Sequence, residues 1–129
     1  MTATGAIMSR DVLAVEPDIG LQAAAARMVA RSVGAVLVLE DGRLAGILTE
    51  RDVLKAVAAG GAAQAVVRDW MTADPEVIGP DEPIDHAATL MIHGGFRHLP
   101  VVEAGELVGI VSVRDLIRVT LADSSPRGA

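Results

Sequence analysis

Two pairs of side chains in this sequence are spaced for joint chemistry. Thr49 stands three residues before Asp52, and Ser112 stands three residues before Asp115. Each pair closes a matching stretch, Gly46-Ile47-Leu48-Thr49-Glu50-Arg51-Asp52 and Gly109-Ile110-Val111-Ser112-Val113-Arg114-Asp115, at an offset of 63 residues. In both copies an apolar run hands over to helical periodicity, so the hydroxyl falls where a strand meets a helix N-terminus. Backbone N–H groups there lack intrahelical partners and the helix dipole is positive, which suits an anion or a hydroxyl-bearing ligand. The same spacing is that of a capping box, in which the hydroxyl accepts an orphan N–H and the acid reaches back, although Asp is shorter than the usual Glu or Gln. Spacing alone leaves both readings open.

Other groups are poorly arranged for chemistry. His86, His93 and His98 form no HxxxH or HExxH spacing, so a metal site is not expected. The short catalytic motifs are absent, and the chain is read as a non-enzyme. It has no cysteine, which excludes disulfides, zinc-thiolate sites and thiol catalysis.

The elements that hold the two pairs recur with the same offset, as Met8/Met71, Pro17-Asp18/Pro80-Asp81, Ala24-Ala25/Ala87-Ala88, Met28/Met91 and Gly42/Gly105 show. In the first copy Val12 to Val15 reads as a short strand stopped by Pro17. A helix follows with Asp18 as its expected N-cap, Leu21, Ala24, Ala25, Met28 and Val29 on one apolar stripe, and Gly34 as its stop. The run 35–39 is continuously apolar, the pattern of a strand covered on both faces. Asp41-Gly42 is a hairpin turn, 44–48 the returning strand, and 49–59 a helix with Val53, Leu54 and Val57 on one face. The second copy predicts a strand at Val77-Ile78, a helix through Ile84, Ala87, Ala88, Met91 and Ile92, and a stop at Gly94-Gly95. Strands follow at 98–102 and 107–111 about an Ala104-Gly105 turn, then a helix through Leu116, Ile117 and Leu121. The expected organisation is a first repeat at 6–60, a linker at 61–66, a second repeat at 67–121 opening on a helical turn near Val67, and a disordered tail at 122–129. Two copies are too few for a solenoid, so the reading is an α/β (α+β) fold of two β-α-β-β-α repeats packed about a pseudo-two-fold axis.

Composition narrows the function classes. The chain has 129 residues, 51% of them hydrophobic, but only Trp70 and Phe96 are aromatic. Base stacking on aromatic platforms is therefore not available, and a net charge of -6 argues against a nucleic-acid surface. The N-terminal residues lack a basic and an apolar signal region, and no apolar run reaches the ~20 residues of a membrane span. A cytoplasmic protein is expected.

A tandem repeat of this order, with Gly46-Ile47-Leu48-Thr49-x-x-Asp52 and Gly109-Ile110-Val111-Ser112-x-x-Asp115 at the strand ends, resembles a pair of cystathionine-β-synthase (CBS) domains, the Bateman module. Arg97-His98-Leu99-Pro100-Val101-Val102 resembles the family's central strand, and Met8 and Met71 its entry residue. The resemblance spans about residues 6–121. It implies no required cofactor but a regulatory ligand of the adenosine class, AMP, ADP, ATP or S-adenosylmethionine, bound in clefts between repeats. Carried over, Asp52 and Asp115 would take the ribose hydroxyls with Thr49 and Ser112 beside them, a sensible task for a carboxylate with two acceptor oxygens. Arg97 and His98 would meet phosphate, with Arg51 and Arg114 as further candidates, and Val15 and Ile78 would line an adenine slot. The first repeat has Gly34-Ala35 where the second has Arg97-His98, so one strong phosphate site is expected. The resemblance also implies a homodimer formed through helices and an unidentified regulated protein. A ligand-free interaction module acting through dimerisation is the competing reading.

Overall fold

A computed structural model describes residues 1–124. Two compact units make up the chain, Val12–Pro75 and Met1–Asp11 together with the segment from Glu76 onward. In chain order the elements are α1 (Thr4–Ile7), β1 (Ala14–Val15), α2 (Leu21–Arg31), β2 (Ala35–Glu40), β3 (Arg43–Thr49), α3 (Glu50–Ala59), α4 (Val67–Trp70), β4 (Thr72–Ala73), α5 (Ile84–Gly94), β5 (His98–Glu103), β6 (Glu106–Ser112) and α6 (Val113–Ser124). A 3-10 turn, Ala62–Gln64, occupies the glycine-rich stretch after α3.

The unit 12–75 holds a four-stranded sheet in the order β1-β2-β3-β4. β1 runs parallel to β2, and the β2–β3 and β3–β4 pairs are antiparallel. Residues Ala35 to Val38 are all buried, as a continuously apolar strand requires. The core gathers Val15, Leu21, Met28, Val36, Val38, Leu48 and Val67, with Trp70 packed against it. Asp41 and Gly42 both take positive φ (54° and 77°), the two-residue turn that matches the twist of its flanking strands.

The second unit repeats the plan around the β5–β6 hairpin. Ile78, Ala87, Met91, Leu99, Val101 and Val111 form its core, with Ile7 and Met8 of the N-terminal segment packed on it. α1 is fixed by Thr4, whose buried hydroxyl donates to the Glu82 carbonyl at 2.7 Å. The segment that opens each sequence repeat therefore folds with the other repeat's hairpin. Ser9 bridges Ile110 in one unit, and β4 pairs with β3 in the other.

Several sequence expectations change for identifiable reasons. Val77-Ile78 forms one bridge to Val101, not a strand. Its counterpart β1 is held by the Leu37 N–H donating to the Leu13 carbonyl at 3.0 Å, and the residue matching Leu37 is Pro100, which has no N–H to give. Gly20, not Asp18, is the N-cap of α2 and supplies no side-chain cap, while Asp18 pairs with Arg68. α2 ends at Ser32 in the left-handed conformation, before Gly34. Val29, Leu54, Val57 and Ile92, placed on inward stripes by periodicity, are exposed, and α3 buries Ala56 instead. α6 runs through Ser124, so 122–124 are helical rather than part of a tail, and the rest of that expected tail lies outside the described residues.

Candidate ligand site

Each hydroxyl–carboxylate pair lies at a hairpin strand's end, where α3 or α6 begins. At the first, Thr49 is the N-cap of α3 and the capping box is complete. Asp52 Oδ2 accepts the Thr49 backbone N–H at 2.9 Å and its hydroxyl at 3.1 Å, while the Thr49 oxygen accepts the Asp52 N–H at 3.4 Å. The second repeats this geometry. Asp115 Oδ2 accepts the Ser112 N–H at 2.8 Å and hydroxyl at 3.0 Å, and Ser112 Oγ accepts the Asp115 N–H at 3.2 Å. The cap is thus present in both repeats and engages one oxygen of each carboxylate. The other Asp115 oxygen, Oδ1, faces Arg118 at 3.9 Å, too far for a direct hydrogen bond. All four residues are half-buried. They are held in place and still reachable.

A further backbone bond fixes each junction. The Glu50 N–H donates to the Gly34 carbonyl (3.0 Å), and the Val113 N–H donates to the Arg97 carbonyl (2.9 Å). These tie the first residue of α3 or α6 to the start of the neighbouring strand, a contact no sequence signal marks. Arg97 and His98 are thereby brought beside Ser112 and Asp115, with His98 directly across the ladder from Ser112. Arg97 is exposed and His98 half-buried. In the first repeat Ala35 stands across from Thr49, so no cation comes from that strand.

Arg51 and Arg114 sit in the exposed first turns of α3 and α6. Val15 and Ile78 are 4% and 1% exposed and belong to the two hydrophobic cores. Among the described residues no cluster of three His, Asp or Glu side chains is placed to hold a metal ion. No described helix is long and apolar enough to cross a membrane.

The strand-end glycines have a steric role in this architecture. A Cβ on Gly109 would stand 2.7 Å from both the Met8 sulfur and the Ser9 carbonyl oxygen, and one on Gly46 would stand 2.7 Å from the Met71 sulfur and 2.8 Å from the Thr72 oxygen. Glycine here permits a close backbone crossing. The crossing chain carries the methionine that opens each repeat.

The chain resembles proteins with the same arrangement. It is 36% identical over 122 residues to an uncharacterized 17.7 kDa protein of Acidianus ambivalens, covering 93% of this chain and 74% of that one. It is 34% identical over 130 residues to the CBS domain-containing protein YhcV of Bacillus subtilis, covering 100% of this chain and 93% of that one. Among solved structures, the CBS domain pair of protein MJ0100, in complex with 5-methylthioadenosine and S-adenosyl-L-methionine, superposes with a TM-score of 0.90 at 26% identity, covering 96% of this chain and 99% of that one. The CBS domain profile matches twice, at residues 5–59 and 67–122. With two such domains making up its described fold, this chain belongs to the CBS-domain family as a tandem CBS pair.

Proposed function

We propose that this CBS pair is a regulatory module that binds an adenosine-containing ligand and transmits its occupancy to a partner protein, without catalysing a reaction. One observation carries the reading. At both strand-to-helix junctions a half-buried aspartate is held by its own capping box through one oxygen, which leaves the other outside the cap, at Asp115 with only the exposed Arg118 facing it at 3.9 Å. A carboxylate oxygen so positioned can accept ribose hydroxyls, and the adjacent helix N-terminus favours phosphate. Thr49 and Asp52 serve one site, and Ser112 and Asp115 the other. Only the second adds basic residues at the start of the neighbouring strand, Arg97 and His98, so it is the site suited to a nucleotide; Arg114 and, at the first site, Arg51 are secondary contributors. Val15 and Ile78 contribute apolar surface near the base only as parts of their cores. The bound adenosine derivatives of the MJ0100 pair support the ligand class. The absence of cysteine fits work in the reducing cytoplasm.

A thermal-shift panel with AMP, ADP, ATP, S-adenosylmethionine, 5-methylthioadenosine and NAD tests the reading. At 100 times its dissociation constant a ligand adds about 2.7 kcal/mol and raises the midpoint by several degrees. No shift at millimolar concentration, with the protein folded, rejects it.

A second reading, an interaction module working through self-association, rests on the exposed apolar residues of the helices. Val29 on α2 and Ile92 on α5 are matched positions in the two repeats, as are Leu54 on α3 and Ile117 on α6, and all four are exposed. Repetition of the same outward apolar positions favours a homodimer formed through these helices, which is compatible with ligand sensing.

A further inference from the structure

The unit 12–75 contains an ion-pair cluster whose counterpart in the other unit lacks its cation. Arg68 donates from Nε to Asp18 Oδ1 at 3.0 Å and from Nη2 to Asp18 Oδ2 at 3.4 Å and Glu40 Oε2. At the 63-residue offset Asp18 corresponds to Asp81, Glu40 to Glu103 and Arg68 to Gly5. The backbone frame is conserved between the units: the Arg68 N–H donates to the Pro17 carbonyl, and the Gly5 N–H to the Pro80 carbonyl, both at 2.8 Å. Both carboxylates are thus retained where the guanidinium is lost. In its place lies a cleft of about 300 Å³, bordered by Gly5, Asp81 and Glu103, with Met8, Pro80 and Val108 supplying apolar wall and Arg10 also lining it. Among the described residues, no ion pair joins Arg10 or any other cation to Asp81 or Glu103.

We infer that this cleft is a docking site for an arginine side chain of a partner protein, which places its guanidinium between Asp81 and Glu103 as Arg68 does between Asp18 and Glu40. Four features point to this occupant. The internal repeat displays a guanidinium on the same two carboxylate positions. A planar fork with five donors can span two acceptors, which a lysine ammonium does less well. Met8 and Val108 offer apolar surface for the side chain's methylene stem. The acidic chain as a whole attracts a basic partner segment. A segment is favoured over free arginine, whose own carboxylate would approach Asp81 and Glu103.

The test is an amide-resolved NMR titration of the full chain at low salt with the capped tripeptide acetyl-Gly-Arg-Gly-amide. Parallel arms use its citrulline and lysine analogues and free arginine. Saturable shifts centred on Gly5, Asp81 and Glu103 are expected with the arginine peptide, weaker ones with the lysine peptide and free arginine, and none with citrulline, which keeps the shape without the charge. Asp81→Asn with Glu103→Gln should weaken binding at least about threefold, the scale of exposed ion pairs. Gly5→Arg should abolish it by filling the cleft from within. Because a Cβ at Gly5 would stand 3.0 Å from Pro80 Cβ, folding of that variant is checked first, and the carboxylate variants decide the matter if it unfolds. Equal shifts from the arginine and citrulline peptides, unchanged binding in the carboxylate variants, or tighter binding of free arginine than of the peptide would each overturn the assignment.

Discussion

Asp115 and Ser112 are bonded in both directions across the first turn of α6: one aspartate oxygen accepts the serine N–H and hydroxyl, and the serine oxygen accepts the aspartate N–H. The cap thus engages one oxygen of the carboxylate, and the proposed ligand role would use the other. Ser112→Ala should cost about 0.5–2 kcal/mol of stability, as loss of a cap does, and leave some ligand binding. Asp115→Ala should cost a similar amount and abolish the ligand-induced thermal shift. Urea unfolding with ligand titration checks both. Undiminished affinity in Asp115→Ala would remove this aspartate from the site.

In the proposed site Arg97 is the residue that would separate phosphate recognition from nucleoside recognition. It lies beside the first turn of α6 through its carbonyl and has an exposed side chain. Replacing it with alanine should weaken AMP several-fold and leave 5-methylthioadenosine, which carries no phosphate, unchanged. Calorimetric titration of both ligands makes the comparison, and equal losses would mean that Arg97 does not face a phosphate.

Gly109→Ala tests the close crossing of β6 by the N-terminal segment. The added methyl meets the Ser9 backbone oxygen as well as the flexible Met8 side chain, so the backbone must shift. A destabilisation of roughly 1–3 kcal/mol is expected, as for overpacking elsewhere. Adding Met8→Ala should not restore stability, because the carbonyl remains. Denaturant unfolding of the single and double variants reads this directly.

Glu82 gives the second unit an acid-sensitive contact. The Gly79 backbone N–H, which donates to Glu82 Oε2 at 2.7 Å, holds the carboxyl below its ordinary 4.5, and His86 adds to the effect. A depressed folded value means that the carboxylate stabilises the fold above about 4.5 and that this contribution fades as pH falls through the folded value. Melting curves of the wild type and Glu82→Gln should therefore differ at pH 6, and the gap should shrink progressively as the pH is taken below 4.5. A constant gap across that window would contradict the assignment.

Leu54 on α3 and Ile117 on α6, 67% and 51% exposed, test the proposed dimer. Converting both to glutamate should give a monomer by light scattering while leaving the thermal midpoint of each unit's core nearly unchanged, since neither residue belongs to a core. An unaltered mass would place any self-association elsewhere.

The duplicated motif, the strand-to-helix order and the two-residue turns were legible in the sequence, because period, glycine placement and capping chemistry act over a few residues. The capping geometry of Thr49, Asp52, Ser112 and Asp115 was legible for that reason, and so was the choice between cap and ligand site; the structure shows the cap at both junctions, and the ligand role is the proposal tested above. The tertiary structure decided what depends on contacts distant in sequence. The exchange of Met8 and Met71 segments across the repeats, the reduction of Val77-Ile78 to one bridge opposite Pro100, and the outward placement of Val29 and Leu54 all depend on which surfaces meet. Helical periodicity can mark an apolar stripe, but whether that stripe is covered depends on partners that local sequence does not encode. The cleft at Gly5, Asp81 and Glu103 belongs to the same class: its residues are separated along the chain, and only folding brings the two retained carboxylates to the place where the arginine is missing.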